Sequence, residues 1–262
     1  MTSRLLAAKS NGVGLITFNN PDRRNAVSLD MWAALPGILA DFDADPDIRV
    51  IVLTGAGDQA FVSGADISEF SDQRSEAETA ARYDKATNVA MNALRSTQKP
   101  TIARIQGYCI GGGMGIALLC DLRLAADDGR FGIPAAKLGL GYQYSGIQIL
   151  VDTVGHANAR EIMFTGRQFS ADEAMAMGLI NRVVPAAGLD ALIQEYTDII
   201  SKNAPLTIFA AKQAINTTAS PKPDAQQIEK LQEMVDACAN SADFAEGRTA
   251  FAEKRKPQFK GH

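Results

Sequence analysis

Thr101-Ile-Ala-Arg-Ile105 leads through Gln106-Gly-Tyr-Cys-Ile-Gly-Gly-Gly-Met-Gly115 into Ile116-Ala-Leu-Leu119. A β-branched run, a glycine-rich turn and an apolar stretch at helical spacing follow one another, so a strand delivers the chain to the start of a helix. The same alternation extends to both sides. Gly12-Val-Gly-Leu-Ile-Thr-Phe18, Arg49-Val-Ile-Val-Leu-Thr54 and the weaker Leu122-Arg-Leu-Ala-Ala126 read as further strands. Leu29 to Asp43, Ala77 to Arg95 and Gly113 to Leu119 carry apolar residues at helical spacing, with Pro36 and Gly37 expected to bend or restart the first. Strands alternating with helices make the class α/β.

Beyond about residue 145 the pattern is helical. Ile147 to Val154, Ala157 to Phe164, a Ser-capped Ser170 to Met177, Leu189 to Asn203 and Leu206 to Asn216 read as helices, with Arg182-Val-Val184 a brief extended piece. Ser220-Pro-Lys-Pro223 marks a break before Ile228 to Cys238 and Phe244 to Lys254, an amphipathic tail that is expected to pack on something. The organisation is an α/β core over residues 1–200 and a helical C-terminal region over 201–262.

Composition excludes several classes. A chain of 262 residues, 46% apolar and 21% charged, buries roughly three quarters of its unfolded surface and is not disordered. No apolar run reaches the roughly 18 residues of a membrane span, and Met1-Thr-Ser-Arg-Leu-Leu-Ala-Ala-Lys9 is too short and too soon charged for a secretory signal. The expected setting is cytoplasmic, without a membrane partner. A net charge of -4 argues against a nucleic-acid binder that relies on overall positive charge. Cys109, Cys120 and Cys238 are odd in number and lie among apolar residues, as buried thiols in a reducing compartment do. Two histidines, His156 and His262, with no CxxC or HExxH pairing, suggest no metal site.

Gly55-Ala-Gly57-Asp-Gln-Ala60 matches the GxGxxG/A dinucleotide pattern. However, Phe61-Val-Ser-Gly-Ala-Asp66 puts another glycine where the helix should begin, so a glycine-rich surface loop is the better reading. Two segments carry more information: Ala60-Phe-Val-Ser-Gly-Ala-Asp-Ile67 and Ile105-Gln-Gly-Tyr-Cys-Ile-Gly-Gly-Gly-Met-Gly115. Each follows a strand and leads toward a helix. Glycine lets backbone N–H groups approach a ligand, and a helix N-terminus favours an anionic oxygen. If the two converge they form an oxyanion hole; taken singly, each reads equally well as a tight turn. Ser63 lacks a histidine partner in sequence, Asp66 reads as the cap of the following helix, and Glu69 and Asp72 read as solvated.

Asn20-Pro-Asp-Arg-Arg-Asn-Ala26, Ala60 to Asp66, Gly107-Tyr-Cys-Ile-Gly-Gly-Gly113, Cys120-Asp121, Phe131-Gly-Ile-Pro134, Leu138-Gly-Leu140 and Ala174 to Val184 resemble, in order and spacing, the enoyl-CoA hydratase/isomerase family, the crotonases. The resemblance covers nearly the whole chain. It implies a spiral of strand–strand–helix units, a helical C-terminal trimerisation region and a homotrimer or hexamer. It also implies an acyl-CoA thioester substrate, with coenzyme A part of that substrate and no separate cofactor. By motif position the thioester oxygen is held by the N–H groups of Ala65 and Gly112. Arg24 falls near the CoA phosphates, and the backbone of Ala65, Asp66, Ile67 and Ser68 near the adenine. Lys254, with Arg255 and Lys256, is a candidate for the 3′-phosphate, from this or a neighbouring subunit, or else a solvated helix end. Asp121 is a family position read as structural, buried and hydrogen-bonded.

The chain departs from the family at the two glutamates that position water and exchange the proton in its hydratases. Those positions hold Gly115 and Ala135, neither of which can transfer a proton. Near the expected acyl pocket lies Gly139-Leu-Gly-Tyr-Gln-Tyr-Ser-Gly146, with Lys137 upstream. Tyr142 matches a tyrosine of the methylmalonyl-CoA decarboxylases in this superfamily, although those keep a glutamate at the Gly115 position and a histidine at Ala65. Decarboxylation yields an enolate without α-proton abstraction, and a tyrosine hydroxyl can orient the carboxylate. Tyr142 is thus either a pocket residue or an apolar packing residue, and Tyr144 a lesser candidate that falls on the following helix. Three functions remain: a hydratase- or isomerase-like enzyme working through an enolate, a decarboxylase of a malonyl-type CoA, and a non-catalytic acyl-CoA binder.

Overall fold

The computed structural model describes residues 2–66, 76–219 and 223–262, the side chains of 76–80 excepted. A six-stranded sheet runs in the order β1 (Leu5–Ser10), β2 (Val13–Phe18), β3 (Val50–Gly55), β5 (Thr101–Ile105), β7 (Leu122–Ala126) and β10 (Arg182–Val184). All neighbours are parallel except the hairpin pair β1 and β2. A smaller sheet orders β4 (Ala60–Val62), β6 (Tyr108–Ile110), β8 (Arg130–Gly132) and β9 (Phe169–Ser170), with only β9 antiparallel.

The two sheets are wound by one repeated unit. Each of β3, β5 and β7 is followed by a turn, a three-residue strand of the small sheet and a helical segment. These segments are α2 (Glu76–Ser96), α3 (Gly112–Leu119) and, after a 3₁₀ turn at Pro134–Lys137, α4 (Tyr144–Thr165). This is the strand–strand–helix spiral that the resemblance implies. Gly55–Ala60 passes straight into β4 and opens no helix, which removes the dinucleotide reading.

The burial pattern explains why β3 reads as a continuous apolar run. Its six residues are all buried because both faces of the sheet are covered. Ile51 and Leu53 face the main core, while Val50 and Val52 join Ile102 and Leu124 beneath Leu192, Ile193, Tyr196 and Ile200 of α6 (Leu189–Lys202). The remaining helices are α1 (Leu29–Ala44), α5 (Ala171–Ala176), α7 (Pro205–Thr218), α8 (Ala225–Ala239) and α9 (Ala242–Glu253). Ser170 caps α5 through a reciprocal pair with Glu173. Among the described residues no helix is long and apolar enough to cross a membrane.

Three expectations need correction. First, α1 does not restart at Pro36 and Gly37 but runs unbroken to Ala44. The proline costs about 3 kcal/mol inside a helix, whereas each buried side chain among Met31, Trp32, Leu35, Leu39 and Phe42 contributes about 1.5–3 kcal/mol. Second, β1, β4, β6, β8 and β9 escape the sequence reading. β1 is an edge strand with only Leu5 buried, and the other four are two or three residues long, too short for any period. Third, Asp121 is hydrogen-bonded but not buried. Its side chain is 30% exposed, and the buried partner is Lys212 of α7, at 7%.

Asp121 accepts from Thr101 N–H at 2.7 Å, Thr101 Oγ1 at 2.8 Å and Lys212 Nζ at 2.8 Å. Lys212 also donates to the Lys99 carbonyl at 2.8 Å, so one buried ammonium ties α7 to the start of β5. Lys212→Met keeps the apolar stem and removes both contacts. We expect it to lower stability by roughly 1–3 kcal/mol, read as a drop in the urea midpoint by circular dichroism; an unchanged midpoint would show that Thr101 alone satisfies Asp121.

Candidate active site

β4 and β6 are parallel neighbours, with Ala60 opposite Tyr108 and Val62 opposite Cys109, so their C-terminal ends release the chain side by side. This is the end of a parallel sheet at which ligands bind. The two glycine segments leave from there. Gly111 adopts φ 54°, ψ −112°, a conformation that a side chain would strain, and turns the chain into α3. A Cβ on Gly113 would lie 2.1 Å from the Val62 carbonyl oxygen, so the first turn of α3 is pressed onto the end of β4.

This packing brings Gly112 and Ala65 face to face. A Cβ built on Gly112 would sit 3.7 Å from the Gly64 carbonyl carbon and 3.9 Å from the Ala65 nitrogen. Gly112 is the first residue of α3, where N–H groups have no partner within the helix and carry the positive end of its dipole. Ala65 forms a one-residue parallel bridge with Val27. The bonds of that bridge come from its neighbours: Val27 N–H donates to Gly64 O at 2.8 Å and Asp66 N–H to Val27 O at 3.0 Å. The N–H of Ala65 therefore points away from Val27. Two peptides from separate segments thus lie side by side, a closeness that the two donors of an oxyanion hole require.

Residues to which the sequence reading gave no role hold this arrangement. Asn25, buried and at φ 57°, donates to the carbonyls of Ala56 at 2.9 Å and Ala60 at 2.7 Å, and accepts from Asn20 N–H at 3.1 Å. Asn20 also donates to the Ala26 carbonyl at 3.0 Å. The Tyr83 hydroxyl of α2 donates to Val27 O at 2.8 Å and accepts from Trp32 Nε1 at 2.8 Å. Asn20 and Asn25 left a signal as members of the Asn20 to Ala26 motif, Asn25 also as a side chain that tolerates the left-handed region.

The other expected site residues divide. Arg24, exposed and left-handed at φ 49°, stacks its guanidinium 4.9 Å from the Tyr108 ring centroid, and its carbonyl accepts from Ser63 N–H at 3.1 Å. It therefore stands beside the strand end that carries the hole. Asp66 is buried and its carboxylate lies 3.5 Å from Asn20 Nδ2. Ile67, Ser68, Glu69 and Asp72 lie outside the described residues, as does the helix start that Asp66 was expected to cap. Lys254 is the exposed, left-handed C-cap of α9, and among the described residues no hydrogen bond or ion pair joins it to Arg24 or to the hole. Its neighbour Arg255 is taken up by Glu246 and Glu253.

Tyr142 is half-buried, packed against the main core with its ring over Gly146, and burial pushes its phenol up from the ordinary value. The hydroxyl stays protonated and able to donate at neutral pH. Tyr144, at 79% exposure, is the first residue of α4. Gly115 lies one turn into α3, where an added Cβ would meet Met91 Cε at 3.0 Å, and Ala135 is a buried methyl in the 3₁₀ turn. Cys109 and Cys120 are poor nucleophiles: burial pushes both thiols up, that of Cys120 to about 12. Among the described residues no group of three or more His, Cys, Asp or Glu side chains could hold a metal ion.

Comparison with known proteins identifies the family. The family model described as enoyl-CoA hydratase/isomerase matches residues 8–262. A short-chain-enoyl-CoA hydratase of Clostridium acetobutylicum is 33% identical over 254 residues, 97% of this chain and 96% of that protein. An (E)-benzylidenesuccinyl-CoA hydratase of Thauera aromatica is 36% identical over 252 residues, 96% of this chain and 97% of that one. Among solved structures, an enoyl-CoA hydratase/carnithine racemase from Magnetospirillum magneticum superposes with a TM-score of 0.92 at 36% identity, covering 100% of this chain and 97% of that one. A fold of strand–strand–helix turns, a family model spanning the chain from residue 8 and full-length relatives above 30% identity lead to one conclusion: the chain belongs to the enoyl-CoA hydratase/isomerase family.

Proposed function

We propose that this protein binds an acyl- or enoyl-CoA thioester and stabilises its enolate through the backbone N–H groups of Ala65 and Gly112, in hydratase- or isomerase-like chemistry. The observation that carries the reading is the approach of the two peptides, with the Ala65 nitrogen 3.9 Å from the Cβ position of Gly112. When electron density moves from the acyl chain onto the thioester oxygen, two fixed donors meet the new charge without reorganising. Each such donor is worth about 3 kcal/mol of barrier. Arg24, beside the hole, supplies charge for the CoA phosphates. Coenzyme A enters as part of the substrate, and no further cofactor is assigned. Three free cysteines suit a reducing, cytoplasmic setting.

The chemistry differs from two-glutamate hydration in one respect. Gly115 and Ala135 bring no carboxylate to the site, and each missing acid–base group costs about 10²–10⁴-fold. A reaction that forms the enolate without removing an α-proton avoids much of this loss. Tyr142 favours a second reading on that ground, a decarboxylase of a malonyl-type CoA. Its phenol, kept protonated by burial, would orient the substrate carboxylate; the bond to CO₂ would break with its electron pair passing to the thioester oxygen, and the enolate would then take a proton from water at its α-carbon. The third reading, a non-catalytic acyl-CoA binder, has the hole but no turnover.

An oligomer completes the proposal. α7, α8 and α9 leave Ile215, Ile228, Val235, Phe244 and Phe251 exposed, Phe251 at 87%. A trimer burying this face would also let Lys254 of one subunit serve the CoA bound by another. Sedimentation equilibrium should return a trimeric or hexameric mass, and a monomer would contradict this part of the reading.

The main reading is tested by incubating purified protein with crotonyl-CoA, longer enoyl-CoAs, malonyl-CoA and methylmalonyl-CoA, following mass and chromatographic position. Gain of one water or a shifted double bond supports hydratase- or isomerase-like chemistry; loss of CO₂ from a malonyl-type ester supports the second reading. Binding with no turnover of any ester leaves the binder. Gly112→Pro, which deletes one donor, should abolish whatever turnover is found, and full activity in a folded variant would refute the hole. Tyr142→Phe should reduce decarboxylation by about tenfold or more and change simple binding only modestly.

A further inference from the structure

We infer that Tyr83 is a positioning residue of the oxyanion hole, fixing the Ala65 donor through the Val27 carbonyl, with Trp32 fixing Tyr83 in turn. The inference rests on the reading of Ala65 and Gly112 as thioester-oxygen donors and adds what aims the first of them.

Ala65 is held by a bridge of a single residue pair, outside both sheets. Among the described residues this bridge is a single rung, so how firmly Val27 is held bears directly on its geometry. The Val27 carbonyl has two acceptor lone pairs, and both are in use. One accepts Asp66 N–H at 3.0 Å, the bond that sets the Ala65–Asp66 peptide; the other accepts the Tyr83 hydroxyl at 2.8 Å.

The direction of the second bond is forced. Trp32 Nε1 has a proton and no acceptor capacity, so the Tyr83 oxygen, 2.8 Å away, must accept there. The phenolic proton goes to the Val27 carbonyl, which can only accept. Trp32, Tyr83 and Val27 are all buried, so water does not compete for these bonds. Trp32 lies in the first turns of α1 and Tyr83 on α2, whereas Val27 immediately precedes the N-cap residue of α1, Ser28. The packing of α1 against α2 is thereby transmitted to one carbonyl and, through it, to one catalytic N–H.

The consequence concerns aim more than affinity. A donor displaced by a fraction of an ångström still touches the substrate but no longer meets the developing charge. Tyr83→Phe keeps the ring in the core and removes the hydroxyl. It should lower kcat by about tenfold or more while KM changes little.

The decisive readout does not need turnover. Butyryl-CoA, isotopically labelled at its carbonyl carbon, has no double bond to hydrate, and infrared difference spectroscopy reports how strongly its bound carbonyl is polarised. In the unaltered protein the stretch should fall well below that of free butyryl-CoA. Tyr83→Phe should return it part of the way toward the free value, with the circular dichroism spectrum retained and binding changed only slightly. A carbonyl frequency in Tyr83→Phe identical to that of the unaltered protein would overturn the inference, because a merely structural tyrosine would alter thermal stability and leave polarisation intact. No downshift in the unaltered protein would instead refute the hole itself, a failure visible before any variant is made. If Tyr83→Phe does not fold, Trp32→Phe, which frees the hydroxyl to turn, is read by the same criterion: a partial return supports the relay and an unchanged frequency overturns it.

Discussion

The parallel pairing of β4 with β6 is the constraint on which the site depends. Parallel strands end at the same edge, so two chain segments far apart in sequence leave the small sheet together. Pairing alone would still leave them separated by side chains. The close approach is completed by Gly113, whose missing Cβ lets α3 begin against the Val62 carbonyl, and by Gly111, whose positive φ turns the chain into that helix. The first turn of α3 and the Ala65 peptide are then neighbours.

Electrostatic stabilisation by backbone donors needs no titrating side chain. On the proposed reading the chain stabilises charge with two backbone donors, while Gly115 and Ala135 carry no acid or base. The two parts of the chemistry are physically separable: the hole is built from main-chain geometry and strand order, whereas proton transfer depends on single side chains. At Gly115 an added Cβ would come within 3.0 Å of Met91 Cε, the far end of a flexible side chain.

Much of the fold was legible in the sequence, and the misses share physical causes. β2, β3, β5 and β7 are long enough to display a β-branched run, and the helices long enough to display a period. β4, β6 and β8 are three residues each and are stabilised by their neighbours in the small sheet, so nothing local distinguishes them from loop. Pro36 argued for an interruption that core burial overrode. Asp121 was read as buried, but the buried member of its pair is Lys212, which approaches from α7, far along the chain. The supports of the hole were the least legible. Tyr83 and Trp32 look like ordinary core aromatics in sequence, and their hydrogen bonds exist only because α1 and α2 pack together.

By itself the sequence determined the α/β class, the glycine-rich turns able to present backbone N–H groups, the residues Gly115 and Ala135 that carry no carboxylate, and the resemblance to the family. These are local properties: period, backbone permissiveness and side-chain identity are all written at single positions or within one helical turn. Tertiary structure alone decided that the two turns face each other, that the Ala65 N–H points away from Val27, and that Tyr83 and Trp32 clamp the carbonyl behind it. Those facts depend on which distant segments become neighbours, and strand order and helix packing set that jointly, with no single stretch of sequence encoding it.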